Sequence, residues 1–312
     1  MDDSNAHQTL ANEAFSKSGA SGLYDRARPT YPLQSINRIL AHLPDHDANV
    51  VELGAGTGIF TRAILSNAKP GQIKNWNAIE PAAGMRESFM QSVKTYSAEG
   101  PSIGCDHGTF DCMESIQSEF ADMVTAAQAW HWTGSDADFQ EKCVKEVSRV
   151  LKPKGYFVLI WNLKDREACE WAGRIRDAYE VHEAGTPQYR LGLWKTLFQT
   201  KTFKESFKLL PPDEIPNQLK SNSKKNVDDS IDESIPTLTV TTQTPLTLDG
   251  LQARILSKSY ITALDSDGQQ KVKDELKSVW DHHIVGNPAT EWIDEKTVKF
   301  PYVTHLYVLQ KR

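Results

Sequence analysis

The chain has 312 residues, 39% of them hydrophobic with eight Trp, and a formal net charge of −6. That length and apolar fraction suffice for one large domain or two smaller ones, and the negative charge argues against a nucleic-acid partner held through phosphates, which needs a clustered basic face. Cys105, Cys112, Cys143 and Cys169 form no C-x-x-C pair, Met1-Asp2-Asp3 starts no leader, and no apolar run approaches the roughly 20 residues of a membrane span, so we expect a soluble cytoplasmic protein with reduced thiols, no metal and no membrane partner.

Residues 1–14 are polar and are expected to fray. Pro29 and Pro32, three apart, forbid a continuous helix through the segment Tyr24-Asp25-Arg26-Ala27-Arg28-Pro29-Thr30-Tyr31-Pro32. Helical periodicity resumes at Leu33 to Leu43, with Ile36, Ile39 and Leu40 on one face. From residue 49 strands and helices alternate. Val50–Leu53 reads as a first strand and Ile59–Leu65 as its helix. Trp76–Glu80 reads as a second strand closed by Pro81, and Met85–Val93 as a helix. A weaker third strand lies around Ser102–Thr109, and a fourth at Ala121–Ala126. Phe139–Leu151 is helical and runs into Lys152-Pro153-Lys154-Gly155, which is expected to stop it. Tyr156–Trp161 is apolar throughout, the pattern of a strand buried on both faces. This rhythm predicts an α/β fold with a doubly wound, mostly parallel sheet.

Beyond residue 163 the pattern changes. Residues 166–210 are helical and rich in aromatics, including Trp171, Tyr179, Trp194 and Phe198. The charged, Ser- and Asn-rich stretch Asn217 to Ile235 is expected to be a mobile insertion. Leu238–Thr242 suits a strand, Leu251–Leu264 an amphipathic helix, and Val298–Leu309 a closing strand.

The chemistry concentrates at Val51-Glu52-Leu53-Gly54-Ala55-Gly56-Thr57-Gly58, where a strand meets a helix through glycines at every second position. Such a turn brings bare backbone to a ligand. The dinucleotide pattern G-x-G-x-x-G is not met, because the third glycine comes one residue early and Ile59 stands where that pattern needs glycine. Glu80, 22 positions past Gly58, stands where an acid accepts hydrogen bonds from ribose hydroxyls. Glu52, before the turn, is suited to holding a cationic amino group. Trp130-His131-Trp132 follows the fourth strand, beyond whose carboxyl end ligands of open α/β sheets bind. His131 is a candidate general base or, alternatively, a packing residue that shapes the pocket with Trp130 and Trp132. His282-His283 reads as a chance pair, since neighbours on a helix point apart.

These segments resemble the class I S-adenosylmethionine (SAM) dependent methyltransferases of the type 11 methyltransferase-domain group. Glu52-x-Gly54-x-Gly56-x-Gly58 is similar to their motif I. Tyr24 to Pro32, Ala78-Ile79-Glu80-Pro81 with Met85, Gly108-Thr109, Ala126 to Trp132, Leu151 to Gly155, Ile160-Trp161-Asn162, Ser257-Lys258-Ser259-Tyr260 and Phe300 to Thr304 look like a small-molecule branch related to trans-aconitate methyltransferases. The resemblance implies a seven-stranded sheet with an antiparallel last strand and a helical substrate lid. It implies an N-terminal arm and cap over residues 1–48, a SAM-binding core over 49–163, and lid, insertion and closing strands over 164–312. Gly54, Ala55, Gly56 and Gly58 would line the methionine and ribose of SAM, and Glu80 would bind the ribose. Pro81, Ala82 and Met85 would flank the adenine, whose edge would lie near Thr109, Phe110 and Asp111. Relatives often carry Ala-Glu where this chain has Phe110-Asp111. Gln128, Trp130, His131 and Trp132 would sit near the sulfonium and acceptor. Tyr24 and Arg28 would fold over the cofactor, Arg28 facing a carboxylate or forming a structural ion pair.

The expected function is transfer of the SAM methyl group to a small-molecule acceptor, with a carboxylate or hydroxyl oxygen favoured, by a monomeric enzyme. Two other readings stay open: a nicotinamide-dependent oxidoreductase, and a non-catalytic SAM-fold binding protein.

Overall fold

The computed structural model describes residues 25, 27–97, 100–183, 185–211, 235 and 237–312. Tyr24 and nearly all of the expected insertion at 217–235 lie outside them. Among the described residues, α1 (Leu33–Leu40) precedes the alternating core of β1 (Ala48–Leu53), α2 (Ile59–Leu65), β2 (Ile73–Ile79), α3 (Ala83–Val93), β3 (Ser102–Asp106), β4 (Ala121–Ala127), α4 (Ala137–Val150) and β5 (Leu151–Lys164). Then come α5 (Glu170–Glu180), α6 (Lys201–Ser206), β6 (Phe207–Leu209), β7 (Leu238–Leu246), α7 (Leu248–Leu256), α8 (Ser259–Thr262), α9 (Ser266–Val279) and β8 (Val298–Lys311).

The strands form one sheet in the order β3-β2-β1-β4-β5-β8. β1 to β5 are parallel and β8 is antiparallel to β5. The seventh position is shared. β6 pairs with the end of β8 from Leu309 to Lys311, and β7 with its earlier part from Val298 to Leu306. Fourteen residues of β8 give room for both, which is why eight strands fill seven places.

Alternation along each central strand sends side chains to opposite faces. Val50 of β1 and Val158 and Ile160 of β5 pack on one face with Phe60, Ile64 and Phe89 from α2 and α3. Val51, Leu53, Phe157, Leu159 and Trp161 pack on the other with Cys143, Val144 and Val147 of α4 and with Trp194. Burying apolar side chains on both faces contributes about 1.5–3 kcal/mol apiece, which accounts for the uninterrupted apolar run of β5. A third cluster joins α5, α7, α8 and α9 to one end of β7 and β8.

Two elements differ from the sequence reading. Lys152-Pro153-Lys154-Gly155 does not separate α4 from the next strand. β5 starts at Leu151, and its register on β4 jumps from Ala121↔Leu151 to Met123↔Tyr156, so the four residues form an irregularity within the strand, with Lys154 at φ 65°. The amphipathic stretch 251–264 is broken. α7 ends at Leu256, and Lys258 adopts an extended conformation (φ −78°, ψ 136°) before α8. Ser257 Oγ donates to Arg254 O at 2.8 Å and accepts from Arg28 Nε at 2.9 Å, which stabilises the break.

Candidate active site

The site lies beyond the carboxyl ends of β1, β4 and β5, the crevice that this sheet order leaves open. One cleft there is shared by the glycine turn, Gln128, His131, Trp132 and the lid helices.

The turn after β1 carries Gly54, Gly56 and Gly58 at φ +64°, +57° and +83°. These angles belong to the left-handed region that L side chains rarely adopt. A Cβ on Gly54 would meet Ala129 Cβ at 2.7 Å, whereas one on Gly56 would find nothing within 4 Å. The Gly56 position therefore borders open cleft. Glu80, just past β2, fixes this turn. One carboxylate oxygen accepts from Gly56 N and the other from Ala82 N, both at 3.0 Å. Burial pushes its pKa up, against the pull of those two amides.

Glu52 lines the cleft yet is almost fully buried. Its carboxyl accepts from the Thr61 hydroxyl and, at 3.1 Å, from Trp76 Nε1. Burial raises its pKa to about 8, opposed by those two hydrogen bonds. Near pH 7 it is therefore mostly protonated.

His131 sits in a short 3-10 turn, Trp130–Thr133, directly after β4. Trp161 Nε1 donates to His131 Nδ1 at 3.2 Å. An indole N–H only donates, so Nδ1 must be unprotonated and the neutral ring carries its proton on Nε2. Burial, with Lys258 and Arg28 nearby, lowers the His131 pKa to about 3. The ring is thus a neutral donor at Nε2 in the ligand-free fold. Trp132 lies beside it in the cleft, with ring centroids 5.4 Å apart and planes tilted by 34°. Trp130, expected near the acceptor, points instead into the core. It is fully buried and packs on Phe157 at 4.9 Å and Phe110 at 5.5 Å, because successive residues of a 3-10 turn are rotated by about 120° and point in different directions.

Gln128 adopts φ +55°, and its Nε2 donates to Asn162 O at 2.7 Å, tying β4 to β5 at the cleft floor. Gly58, Glu80, Pro81, Met85, Thr109, Phe110 and Asp111 do not line this cleft, and both carboxylate oxygens of Glu80 are taken by backbone amides. The last five adjoin the turn from the connections after β2 and β3. Phe110 Cζ would be 3.8 Å from a Cβ on Gly54, and Thr109 Oγ1 donates to Asp111 Oδ1 at 2.7 Å. Arg28 lines the cleft, with Nη2 donating to Ser257 O at 3.3 Å in addition to its Nε bond.

The sequence reading missed two groups. Asp25 accepts from Thr57 Oγ1 at 2.8 Å and from Arg62 Nη2 at 2.6 Å, pinning the N-terminal segment to the glycine turn. Asp25 stands next to Tyr24 in the segment already noted, but nothing in its spacing marks Arg62 as its partner. The second group is cationic: Lys164, Arg254 and Lys258 come together in the lid half of the cleft from β5, α7 and the α7–α8 break. Among the described residues no group of three or more His, Cys, Asp or Glu could hold a metal ion, and no helix is long and apolar enough to cross a membrane.

Residues 51–159 match the family model described as a methyltransferase domain. An uncharacterized methyltransferase-like protein of Schizosaccharomyces pombe is 29% identical over 176 residues, 56% of this chain and 62% of that protein. An uncharacterized methyltransferase of Mycobacterium bovis is 29% identical over 187 residues, 57% of this chain and 68% of its own length. The chain thus spans less than two thirds of the length of the fission-yeast relative. A solved structure from Anaeromyxobacter dehalogenans, assigned as a type II methyltransferase, superposes with a TM-score of 0.51 at 16% identity, covering 91% of this chain and 97% of that one, a likeness of fold. With an open sheet ending in an antiparallel strand and a glycine turn at its switch point, the chain has the class I methyltransferase fold, and its residues 51–159 match the methyltransferase-domain model.

Proposed function

We propose that the protein transfers the methyl group of SAM to an oxygen, carboxylate or hydroxyl, of a small-molecule acceptor held beneath the lid, releasing S-adenosylhomocysteine. The observation that carries this reading is the open space over Gly56, in the cleft that also holds His131 and Trp132. Bound SAM supplies an electrophilic methyl on a sulfonium. The turn amides and Glu80 would hold the ribose end, and Glu52 the amino group. The Trp132 face would border the cationic sulfur, and the Nε2–H of His131 would donate to the acceptor oxygen and orient it for in-line attack. Pro81, Met85, Thr109, Phe110 and Asp111 would serve the adenine end.

Titrating SAM, S-adenosylhomocysteine and NADH while following thermal unfolding tests the cofactor. A ligand at 100 times its dissociation constant stabilises by about 2.7 kcal/mol. Stabilisation by NADH and not by the two sulfur ligands would sink the proposal. Labelled SAM with an acceptor panel then tests catalysis.

Because His131 stays neutral down to about pH 3, it should contribute no limb near pH 6.5 to the kcat profile, and any neutral limb that Glu52 or Lys258 contributes should survive in His131→Ala. His131→Ala should lower kcat on the order of tenfold to a hundredfold, the range for losing one positioned donor, and His131→Asn should recover part of it. A neutral limb present in the wild type and absent in His131→Ala would restore the base role. Trp161→Phe removes the donor that fixes the tautomer, and should lower kcat with SAM affinity unchanged. Calorimetry alongside steady-state rates separates the two.

Asp25→Ala should weaken SAM binding only a few fold. The ion pair with Arg62 is partly exposed (23% and 35% of the two side chains), and such pairs are worth about 0.2–1 kcal/mol. A tenfold loss would show that the N-terminal segment touches the ligand directly.

A further inference from the structure

The lid half of the cleft holds positive charge that its own residues do not neutralise. Glu180 and Glu183 are its acids, and both are engaged. Glu180 pairs with Arg176 at 2.5 Å, and Glu183 pairs with Arg190 and accepts from the Tyr260 hydroxyl at 3.5 Å. Among the described residues Lys164 and Lys258 form no ion pair within 4 Å, and the Glu183 and Glu180 carboxylates, held by arginines, attract Lys258 only from farther off. Their ammonium groups lie over aromatic rings, Lys164 Nζ 5.2 Å and Lys258 Nζ 5.0 Å from the centroid of Tyr179, and Lys258 Nζ 5.3 Å from that of Tyr260. Lys164 is 8% exposed. Burial, with the Lys258 ammonium and the Arg28, Arg254 and Arg176 guanidiniums nearby, holds Lys164 well below the usual lysine range, and burial with Arg28 brings Lys258 down to about 7 against the pull of Glu183 and Glu180. Holding a buried lysine and a half-buried one in the same cleft with no ion pair to either is costly. The fold nonetheless builds this arrangement: the α7–α8 break exists because Ser257 is held by Arg28, and it is the break that sets Lys258 at the cleft.

We infer that Lys164 and Lys258, with the Tyr179 and Tyr260 rings beneath them, form an anion subsite that binds a non-reacting carboxylate of the methyl acceptor. The inference rests on the methyl-transfer reading for the identity of the acceptor, but not for the subsite itself. Two molecules in the proposed reaction carry a carboxylate, the acceptor and SAM. The lysines come from the end of β5 and from the lid, whereas the glycine turn and its amides form the β1 wall of the same cleft, so the acceptor's carboxylate is assigned to them. A bound carboxylate would give both ammoniums a direct ion pair, and its geometry would set which acceptors bind and which oxygen faces the methyl group.

The test uses full-length protein saturated with S-adenosylhomocysteine, with succinate and its uncharged isostere succinamide as probes, read by calorimetry and thermal unfolding. Succinate should bind at least tenfold more tightly than succinamide. Lys164→Met and Lys258→Met should each weaken succinate at least tenfold and leave the S-adenosylhomocysteine affinity within twofold. Without ligand, Lys164→Met should unfold at a higher temperature than the wild type, because the cost of burying an amine whose charged form the fold disfavours has been removed. A purely structural lysine would give the opposite shift. Equal binding of succinate and succinamide would overturn the subsite, as would lysine variants that keep succinate. Variants that lose S-adenosylhomocysteine and keep succinate would assign the anion to SAM instead. Lys164→Gln and Lys258→Gln repeat the measurement should a methionine variant misfold. Wild-type protein that binds succinate but not S-adenosylhomocysteine would sink the methyl-transfer reading and leave the subsite standing.

Discussion

Gly56→Ala is expected to leave a folded protein that no longer binds SAM, while Gly54→Ala is expected to damage the fold itself. Both positions have a positive φ, +57° and +64°, so each alanine carries a backbone cost of about 1–2 kcal/mol. The surroundings then separate them. At Gly54 the new methyl would stand 2.7 Å from Ala129 Cβ, closer than carbon atoms can pack, and Ala129 lies in the tight turn after β4 with no room to retreat. Overpacking of that kind adds about 1–3 kcal/mol. At Gly56 the methyl meets nothing within 4 Å. It projects into the space proposed for the ligand and perturbs the amide that Glu80 accepts from. A fall in SAM affinity of a hundredfold or more, with a stability loss near 1 kcal/mol, is the expected result for Gly56→Ala, measured by calorimetry and urea unfolding. Normal SAM binding by Gly56→Ala would show that the ligand lies elsewhere.

The contrast also indicates how much the sequence could convey. The glycine turn, the acid before it and the acid after β2 were legible because local backbone geometry imposes them, as was the strand–helix alternation, which rests on periodicities of 2.0 and 3.6 residues. α2 falls at Ile59–Leu65, as the pattern predicts. Which way a side chain faces at a tight turn is not periodic. Trp130 and Trp132 are two residues apart in a 3-10 turn, and one is core while the other lines the cleft. The tautomer of His131 depends on Trp161, 30 residues away on a neighbouring strand. The lysine pair joins β5 to a helix break that the amphipathic pattern of residues 251–264 concealed, since the break is held by Arg28 from 229 positions earlier. Tertiary contacts of that range leave no local signature. Short β6 and its sharing of an edge with β7 were hidden for a similar reason: three residues carry too little pattern.

Glu52 supplies the second large prediction, because its ionisation state couples ligand binding to pH. In the ligand-free fold its pKa stands at about 8, against an ordinary value of 4.5. A carboxyl with a raised folded pKa favours the folded state fully below about pH 4.5, and that contribution is lost as pH rises through about 8. The ligand's ammonium would reverse the balance, since an opposite charge beside a carboxyl favours the ionised form. SAM binding near pH 7 should therefore release close to one proton, and the affinity should rise about tenfold per pH unit up to about 8 and then level off. Glu52→Gln preserves an acceptor for Thr61 and Trp76 but cannot ionise. It should fold, bind SAM more weakly above pH 8, and show only the ligand's own titration. The difference between the two proteins, obtained by calorimetry in buffers of different ionisation enthalpy, isolates the Glu52 proton. Identical pH profiles for wild type and Glu52→Gln would remove Glu52 from the amino-group site and leave it a structural acceptor for Trp76. The lysine pair should respond with the opposite sign. A carboxylate bound at Lys164 and Lys258 stabilises their charged forms and draws protons in, so SAM and acceptor would push proton exchange in opposite directions from the two ends of one cleft.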